Sequence, residues 1–353
     1  MYKEIDIRNF RTLNHLNIKS LNRINIITGI NGVGKTSLLE AIFLLSGGTN
    51  TTLLLGINGW RGNPYFSPKV DYQFRSFFNN MDDNNNITLA AKWKKLGKKS
   101  PTIYNRTLNI SPIKRIIPSG KSRDVETFID GLQFEYKGER KLKQSSYIKI
   151  TNDQKNPIDA PTVICKELID AKFITPRHQD VKEQVTNEIS SLIKKRRLPD
   201  LVKFLKNIEP DLEEIISLPE YGLMNVYGDL GFKYFAPIHV LGGGFYNYLR
   251  IALDAFETSN GCLLIDEIED GIHFSKIDDL LYFLIDIARR HNIQIFATTH
   301  SSDLINTFID ISRKSKLQNF GVIKLMKVKG SNIAKTFGRS EVDISKKINL
   351  ELR

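Results

Sequence analysis

Ile24-Asn25-Ile26-Ile27-Thr28-Gly29-Ile30-Asn31-Gly32-Val33-Gly34-Lys35-Thr36-Ser37 runs from an apolar strand through a glycine-rich turn into a helix. From Gly29 to Thr36 it satisfies the spacing G-x-x-x-x-G-K-[ST], and the strand before it and helix after it are the context that this motif needs. Glycines let consecutive backbone N–H groups turn inward around a phosphate. The helix start adds a partial positive charge aimed at the same place. Lys35 is long enough to reach β- and γ-phosphates, and the Thr36 hydroxyl suits Mg²⁺. This reading assigns Gly29, Asn31, Gly32, Gly34, Lys35, Thr36 and Ser37 to a nucleoside triphosphate such as ATP. The helix that follows, Lys35 to Leu45, puts Leu38, Leu39, Ile42 and Leu45 on one face, and Gly47-Gly48 stop it.

Two later strands have the same apolar character and end in reactive side chains. Leu263-Leu264-Ile265 runs into Asp266-Glu267, and Ile295-Phe296-Ala297 runs into Thr298-Thr299-His300-Ser301. Adjacent carboxylates raise each other's pKa unless a cation lies beside them. Asp266 is therefore read as a Mg²⁺ ligand, direct or through water, and Glu267 as the group that orients an attacking water. Open α/β sheets place ligands at the ends of their strands, so His300 is read as a contact to the γ-phosphate or the water. These strands alternate with helices at Tyr248–Phe256 and Ile277–Arg290, which predicts a parallel α/β sheet covered on both faces.

The rest of the chain supplies two other kinds of segment. Tyr2–Arg8 alternates like a strand, and Ile87–Trp93, Thr102–Ile110, Thr127–Phe134 and Tyr147–Ile150 read as short strands separated by turn residues. Glu183 to Lys195 and Pro199 to Leu218 read as helices, the second with a break at Pro210, and Leu223–Tyr227 as a short strand. Lys194-Lys195-Arg196-Arg197 fits a solvated helix C-terminus, where cations suit the dipole.

Of 353 residues, 51 are Lys or Arg and 39 Asp or Glu, a net +12. The excess is concentrated: +10 between Lys92 and Lys149 and +8 from residue 311 onward, which leaves −6 for the remainder. Such segments, 92–149 and 311–353, suit DNA or an acidic partner, or else a merely solvated surface. Trp93 among its lysines suits either base stacking or a sheet core. Two distant cysteines, Cys165 and Cys262, exclude a disulfide scaffold and a cysteine zinc site and fit a reducing cytosol. No long apolar run predicts a membrane helix, and MYKEIDIRNF lacks the apolar core of a signal peptide.

In this order, the motifs resemble the ABC-type ATPase heads of the RecF, SMC and OLD-nuclease clade, and especially its compact AAA-family ATP-binding proteins, many tied to phage defence. Asn9-Phe10-Arg11 resembles the clade's N-terminal strand motif and implies a nucleotide contact for Arg11. Asp266 through His273 resembles Walker B running into the D-loop, and Thr299-His300-Ser301 the H-loop. Leu241-Gly242-Gly243-Gly244 stands where the clade has its signature, so Gly243 and Gly244 are expected to cap ATP bound to a second copy. Gly242 departs from the Ser of transporter-like signatures, and the stretch reads equally as a tight turn before a buried helix. Gln179, in Phe173–Gln179, is the candidate Q-loop contact to Mg²⁺, although a plain strand exit explains that segment too. Asn349–Arg353 is similar to the clade's C-terminus and implies a complete chain.

The resemblance implies a P-loop α/β fold with an antiparallel β lobe and a helical insertion, divided as 1–165, 166–220 and 221–353. No D-x-D element of a Toprim nuclease occurs in the 53 residues after His300, and no long coiled coil is present. Three functions stay open: an ATP-hydrolysing switch that dimerises around ATP and Mg²⁺ and controls a nuclease or toxin, a DNA-clamping repair ATPase, and an assembly scaffold with little hydrolysis.

Overall fold

The apolar runs around the glycine turn join one parallel sheet, and the alternating strands of the first half join an antiparallel one. A computed structural model of the chain describes residues 1–62, 72–95, 102–118, 125–139, 142–151, 153, 158–161, 163, 165–176, 182–220, 223–314 and 319–338. β1 (Tyr2–Phe10) and β2 (Leu13–Lys19) precede β3 (Ile24–Thr28), and α1 (Lys35–Gly47) follows the glycine turn. After α2 (Thr52–Trp60) and the short α3 (Tyr72–Arg75) come β4 (Ile87–Lys95), β5 (Thr102–Pro118), β6 (Val125–Lys137), β7 (Lys143–Ile150) and β8 (Ile158–Asp159). β9 (Ala171–Ile174), α4 (Lys182–Lys194) and α5 (Leu198–Leu205) lead to β10 (Glu214–Glu220), β11 (Leu223–Asp229) and β12 (Ala236–Pro237). The last part is α6 (Gly243–Glu257), β13 (Cys262–Ile265), α7 (Ile277–Arg290), β14 (Gln294–Thr298), α8 (Ser302–Lys314), β15 (Phe320–Val328) and β16 (Ser331–Phe337).

The antiparallel sheet has the order β2-β1-β4-β5-β6-β7-β8, and the mixed sheet β16-β15-β3-β14-β13-β9, parallel except for its β15–β16 edge. Side-chain alternation explains why the mixed sheet sits between two cores. Ile24, Ile26, Leu263, Ile265, Ile295 and Ala297 face a core shared with α4 to α8. Ile27, Cys262, Leu264 and Phe296 face a second core shared with α1 and the antiparallel sheet. Both cysteines are buried and unpaired. Trp93 is buried and packs edge-on against Tyr2 at 4.9 Å, which makes it a core aromatic.

The region read as one helix from Pro199 to Leu218 divides. The helix ends at Leu205, before Pro210, and Glu214–Glu220 is a strand paired along its whole length with β11. Local helical spacing there yields to a hairpin that buries Ile215 against α5. The four lysines and arginines at 194–197 are not all free at a helix end. Lys195 pairs with Glu257 at 2.9 Å, and the Arg197 guanidinium lies 4.9 Å over the Phe256 ring. Among the described residues no helix is long and apolar enough to cross a membrane.

Candidate nucleotide site

β14 lies between β3 and β13, and all three are parallel, so their C-terminal ends open on one edge. Two glycines fix the turn after β3. Gly29 has φ 148°, and a Cβ there would lie 2.5 Å from the Leu325 carbonyl oxygen. Gly34 has φ 109°, and its Cβ would strike the Leu13 side chain. A side chain at either position would push the turn off its neighbours, β15 at Gly29 and β2 at Gly34. Lys35 folds back over the turn and donates from Nζ to the carbonyls of Gly29 (2.8 Å) and Ile30 (3.2 Å). Burial lowers its pKa, while the carboxylates of Asp266, Glu267 and Glu269 oppose that shift.

The phosphate turn and the acidic strand end meet directly. The Thr36 hydroxyl donates to Asp266 Oδ2 at 2.8 Å. The Thr298 hydroxyl donates to Asp266 Oδ1 at 2.7 Å and accepts the Glu267 N–H at 2.8 Å. Thr36 and Asp266 thus bring two hard oxygen donors together beside the turn, a set suited to Mg²⁺ completed by phosphate oxygens and water. Glu267 takes a left-handed backbone, φ 50°, and its half-exposed carboxylate lies 4.0 Å from His300 Nε2.

Arg11 is buried in a polar knot. It donates to Glu40 Oε2 (3.2 Å), Asn58 Oδ1 (3.2 Å) and the carbonyl and hydroxyl of Ser76 (both 3.1 Å). It still borders an open groove of about 430 Å³ that Gly32, Ser37, Thr12, Arg61 and Asn332 also line. The groove begins at the phosphate turn and is of a size for a small ligand.

Gly242 and Gly243 are exposed at the start of α6. Gly244 packs instead against Gly271, and Asn247 donates to the Asp270 carbonyl at 2.8 Å. Within one chain Gly244 therefore rests on the loop after Glu267. Gln179, Lys98, Lys99 and residues 339–353, which carry the end of the second basic segment, lie outside the described residues. Ile174, at the end of the strand that leads toward Gln179, is described: its carbonyl accepts the Asp266 N–H at 2.9 Å.

Motif reading misses Thr298, Arg61, Thr12 and Glu269. Thr298 is visible as the residue before Thr299-His300, but only the sheet register places it opposite Asp266. The basic β lobe proves partly neutralised from outside its own segment. Lys92 pairs with Glu4 at 2.6 Å and Lys114 with Asp83 at 3.1 Å.

Helix α6 is anchored by Arg250, which bonds Glu188 of α4 at 3.1 Å and Asp254 at 3.2 Å. Burial pushes the Asp254 carboxyl up to about 7, against the pull of Arg250. An acid with a raised folded pKa keeps its proton in the fold after the unfolded chain has lost it. Its contribution is therefore fully present below the unfolded value of 3.8 and lost as pH rises through about 7. Asp254→Asn should flatten the pH dependence of the melting temperature between pH 4 and 7. An unchanged slope would show that Asp254 is ionised throughout.

A phosphate turn hydrogen-bonded to an acidic strand end across one intervening strand, backed by an antiparallel lobe, is the plan of an ABC-type P-loop ATPase head, and this protein is an ATPase of that class. Residues 24–306 match the family AAA_21, described as "AAA domain, putative AbiEii toxin, Type IV TA system", and the chain belongs to that family. An "ATP/GTP phosphatase" of Helicobacter pylori is 25% identical over 364 aligned positions covering 89% of each chain. "DNA replication and repair protein RecF" of Nitrosococcus oceani is 54% identical over 41 residues, 12% of this chain and 11% of that one. A solved Smc head bound to the C-winged helix domain of ScpA aligns over 99% of both chains with a TM-score of 0.49 and 12% identity.

Proposed function

We propose that this ATPase head is a switch: two copies close around two molecules of ATP with Mg²⁺, and hydrolysis reopens them. The observation that carries the reading is the 2.8 Å bond from Thr36 to Asp266, which puts the phosphate turn and the acidic strand end at one point. Bound between Thr36 and Asp266, Mg²⁺ would neutralise charge on the β- and γ-phosphates. Gly29, Asn31, Gly32 and Gly34 offer backbone N–H groups to the phosphates, and Lys35 leaves the Gly29 and Ile30 carbonyls to reach them. Ser37 and Arg11 border the groove that continues from the turn. Glu267 orients the attacking water, and His300 holds the γ-phosphate or that water from the next strand. Gly243 and Gly244 cap the triphosphate of the second copy, with Gln179 as a further contact to the cation. In this reading 1–165 carries the turn and β lobe, 166–220 the insertion, and 221–353 the signature, acidic strand and histidine.

The output would lie in a second protein, a nuclease or toxin whose activity the closed or open pair releases, in the cytosol and in defence against phage. The family's description, which names a putative toxin and a type IV toxin–antitoxin system, supports a link to a system of that kind. Phosphate release from ATP that needs Mg²⁺, together with an effector recovered with the wild-type protein in ATP, tests it. No phosphate release with ATP-dependent pairing intact would leave the scaffold reading instead.

The charge of the β lobe favours one second reading, a clamp on DNA. Replacing Lys92, Lys94 and Lys95 by Ala should then lower the slope of log affinity against log salt by about 1 for each phosphate that the lysines cease to neutralise. A slope that stays the same directs that face toward something other than nucleic acid.

A further inference from the structure

Glu269 stands two residues beyond Glu267, and the phosphate chemistry assigns it no role. Its Oε1 accepts the backbone N–H groups of His300 (2.7 Å) and Ser301 (3.2 Å). Its Oε2 is buried with no hydrogen-bond partner among the described residues. Its charge also acts on Lys35, alongside Asp266 and Glu267.

The residue joins two stretches that must agree for the site to be assembled. On one side is the His300 turn, whose imidazole lies 4.0 Å from Glu267. On the other is the loop Asp270–Gly271, which touches the signature helix through Asn247 and leaves no room for a side chain at Gly244, where a Cβ would lie 2.5 Å from the Gly271 oxygen. A movement of the signature helix would therefore reach Asp270 and Gly271, and through Glu269 the backbone of His300. The contact is short and made to main chain, so it fixes the backbone from which the imidazole projects.

We propose that Glu269 is the positioning residue of this site, holding His300 against Glu267 and linking that histidine to the signature helix of its own chain. The inference rests on the ATPase reading above, and its test has one arm that does not. In the hydrolysis arm, Glu269→Ala should lower kcat on the order of 10–100-fold, as expected when a reacting group drifts by about 1 Å. KM and the affinity for a fluorescent ATP analogue should stay within about threefold, because the phosphate turn is untouched. Glu269→Gln, which keeps an acceptor oxygen, should restore most of kcat. A plain helix cap would change the melting temperature without this split. An unchanged kcat in Glu269→Ala, a parallel loss of nucleotide affinity, or no rescue by Gln overturns the proposal.

The second arm measures hydrogen exchange of the amide at His300 without nucleotide, because the Ser301 N–H keeps the Thr299 hydroxyl as a second acceptor at 3.0 Å. Exchange should quicken by about tenfold or more in Glu269→Ala, as expected when a hydrogen bond worth about 1.5 kcal/mol is removed, and stay near the wild-type rate in Glu269→Gln. Equal rates in wild type and Glu269→Ala overturn the clamp. Wild-type protein that releases no phosphate, yet shows the expected exchange pattern, would refute the ATPase reading while leaving the clamp standing.

Discussion

Lys35→Ala abolishes nucleotide binding: affinity for ATP should fall by two orders of magnitude or more, about 3 kcal/mol. The ammonium sits in the glycine turn with two carbonyls as its partners, and burial there already lowers its pKa. A triphosphate supplies the negative charge that those carbonyls cannot. Removing the ammonium takes a full positive charge from the phosphate oxygens inside the turn and leaves them the backbone N–H groups, the start of α1 and the cation. Fold stability should change little, because Nζ bonds only to carbonyls of the turn itself. Equilibrium binding of a fluorescent ATP analogue checks the prediction, with a thermal melt beside it. Retained affinity in a folded variant would mean that phosphates bind elsewhere.

Glu267→Gln separates binding from turnover. Its carboxylate is half-exposed at the strand end and open to water, while its backbone N–H donates to the Thr298 hydroxyl. The amide keeps the shape and loses the base, so hydrolysis should fall on the order of 10²–10⁴-fold, with ATP affinity retained. If hydrolysis opens the pair, the variant should accumulate as an ATP-bound dimer in sedimentation. Monomers alone, with ATP bound, would count against closure around nucleotide. Wild-type rates in the variant would remove Glu267 from the chemistry.

Much of the fold is legible because its signals are local. Glycine spacing at 29–36 and two apolar strands ending in Asp266-Glu267 and Thr299-His300 identify a parallel sheet with its chemistry on one edge. The division between the cores follows from alternation, as at Leu263, Leu264 and Ile265. Other features depend on partners far away in sequence. Glu214–Glu220 continues the helical spacing of the residues before it and is a strand because β11 pairs with it. The excess charge of the β lobe is countered by Glu4 and Asp83, which no segment count would pair with it. Thr298 and Glu269 gain meaning from register and from a main-chain contact over a span of 31 residues. Arg11 shows the converse: its motif is visible, but the partners that bury it, Glu40, Asn58 and Ser76, are not.

The most direct measurement is a crystal structure of Glu267→Gln grown with ATP and Mg²⁺. Triphosphate density is expected inside the turn 29–36, with the Thr36 hydroxyl and the Asp266 carboxylate facing the cation, directly or through water, and Lys35 moved from the Gly29 carbonyl to the phosphates. Nucleotide density anywhere else on the molecule, with Lys35 still bonded to Gly29 and Ile30, would contradict this placement.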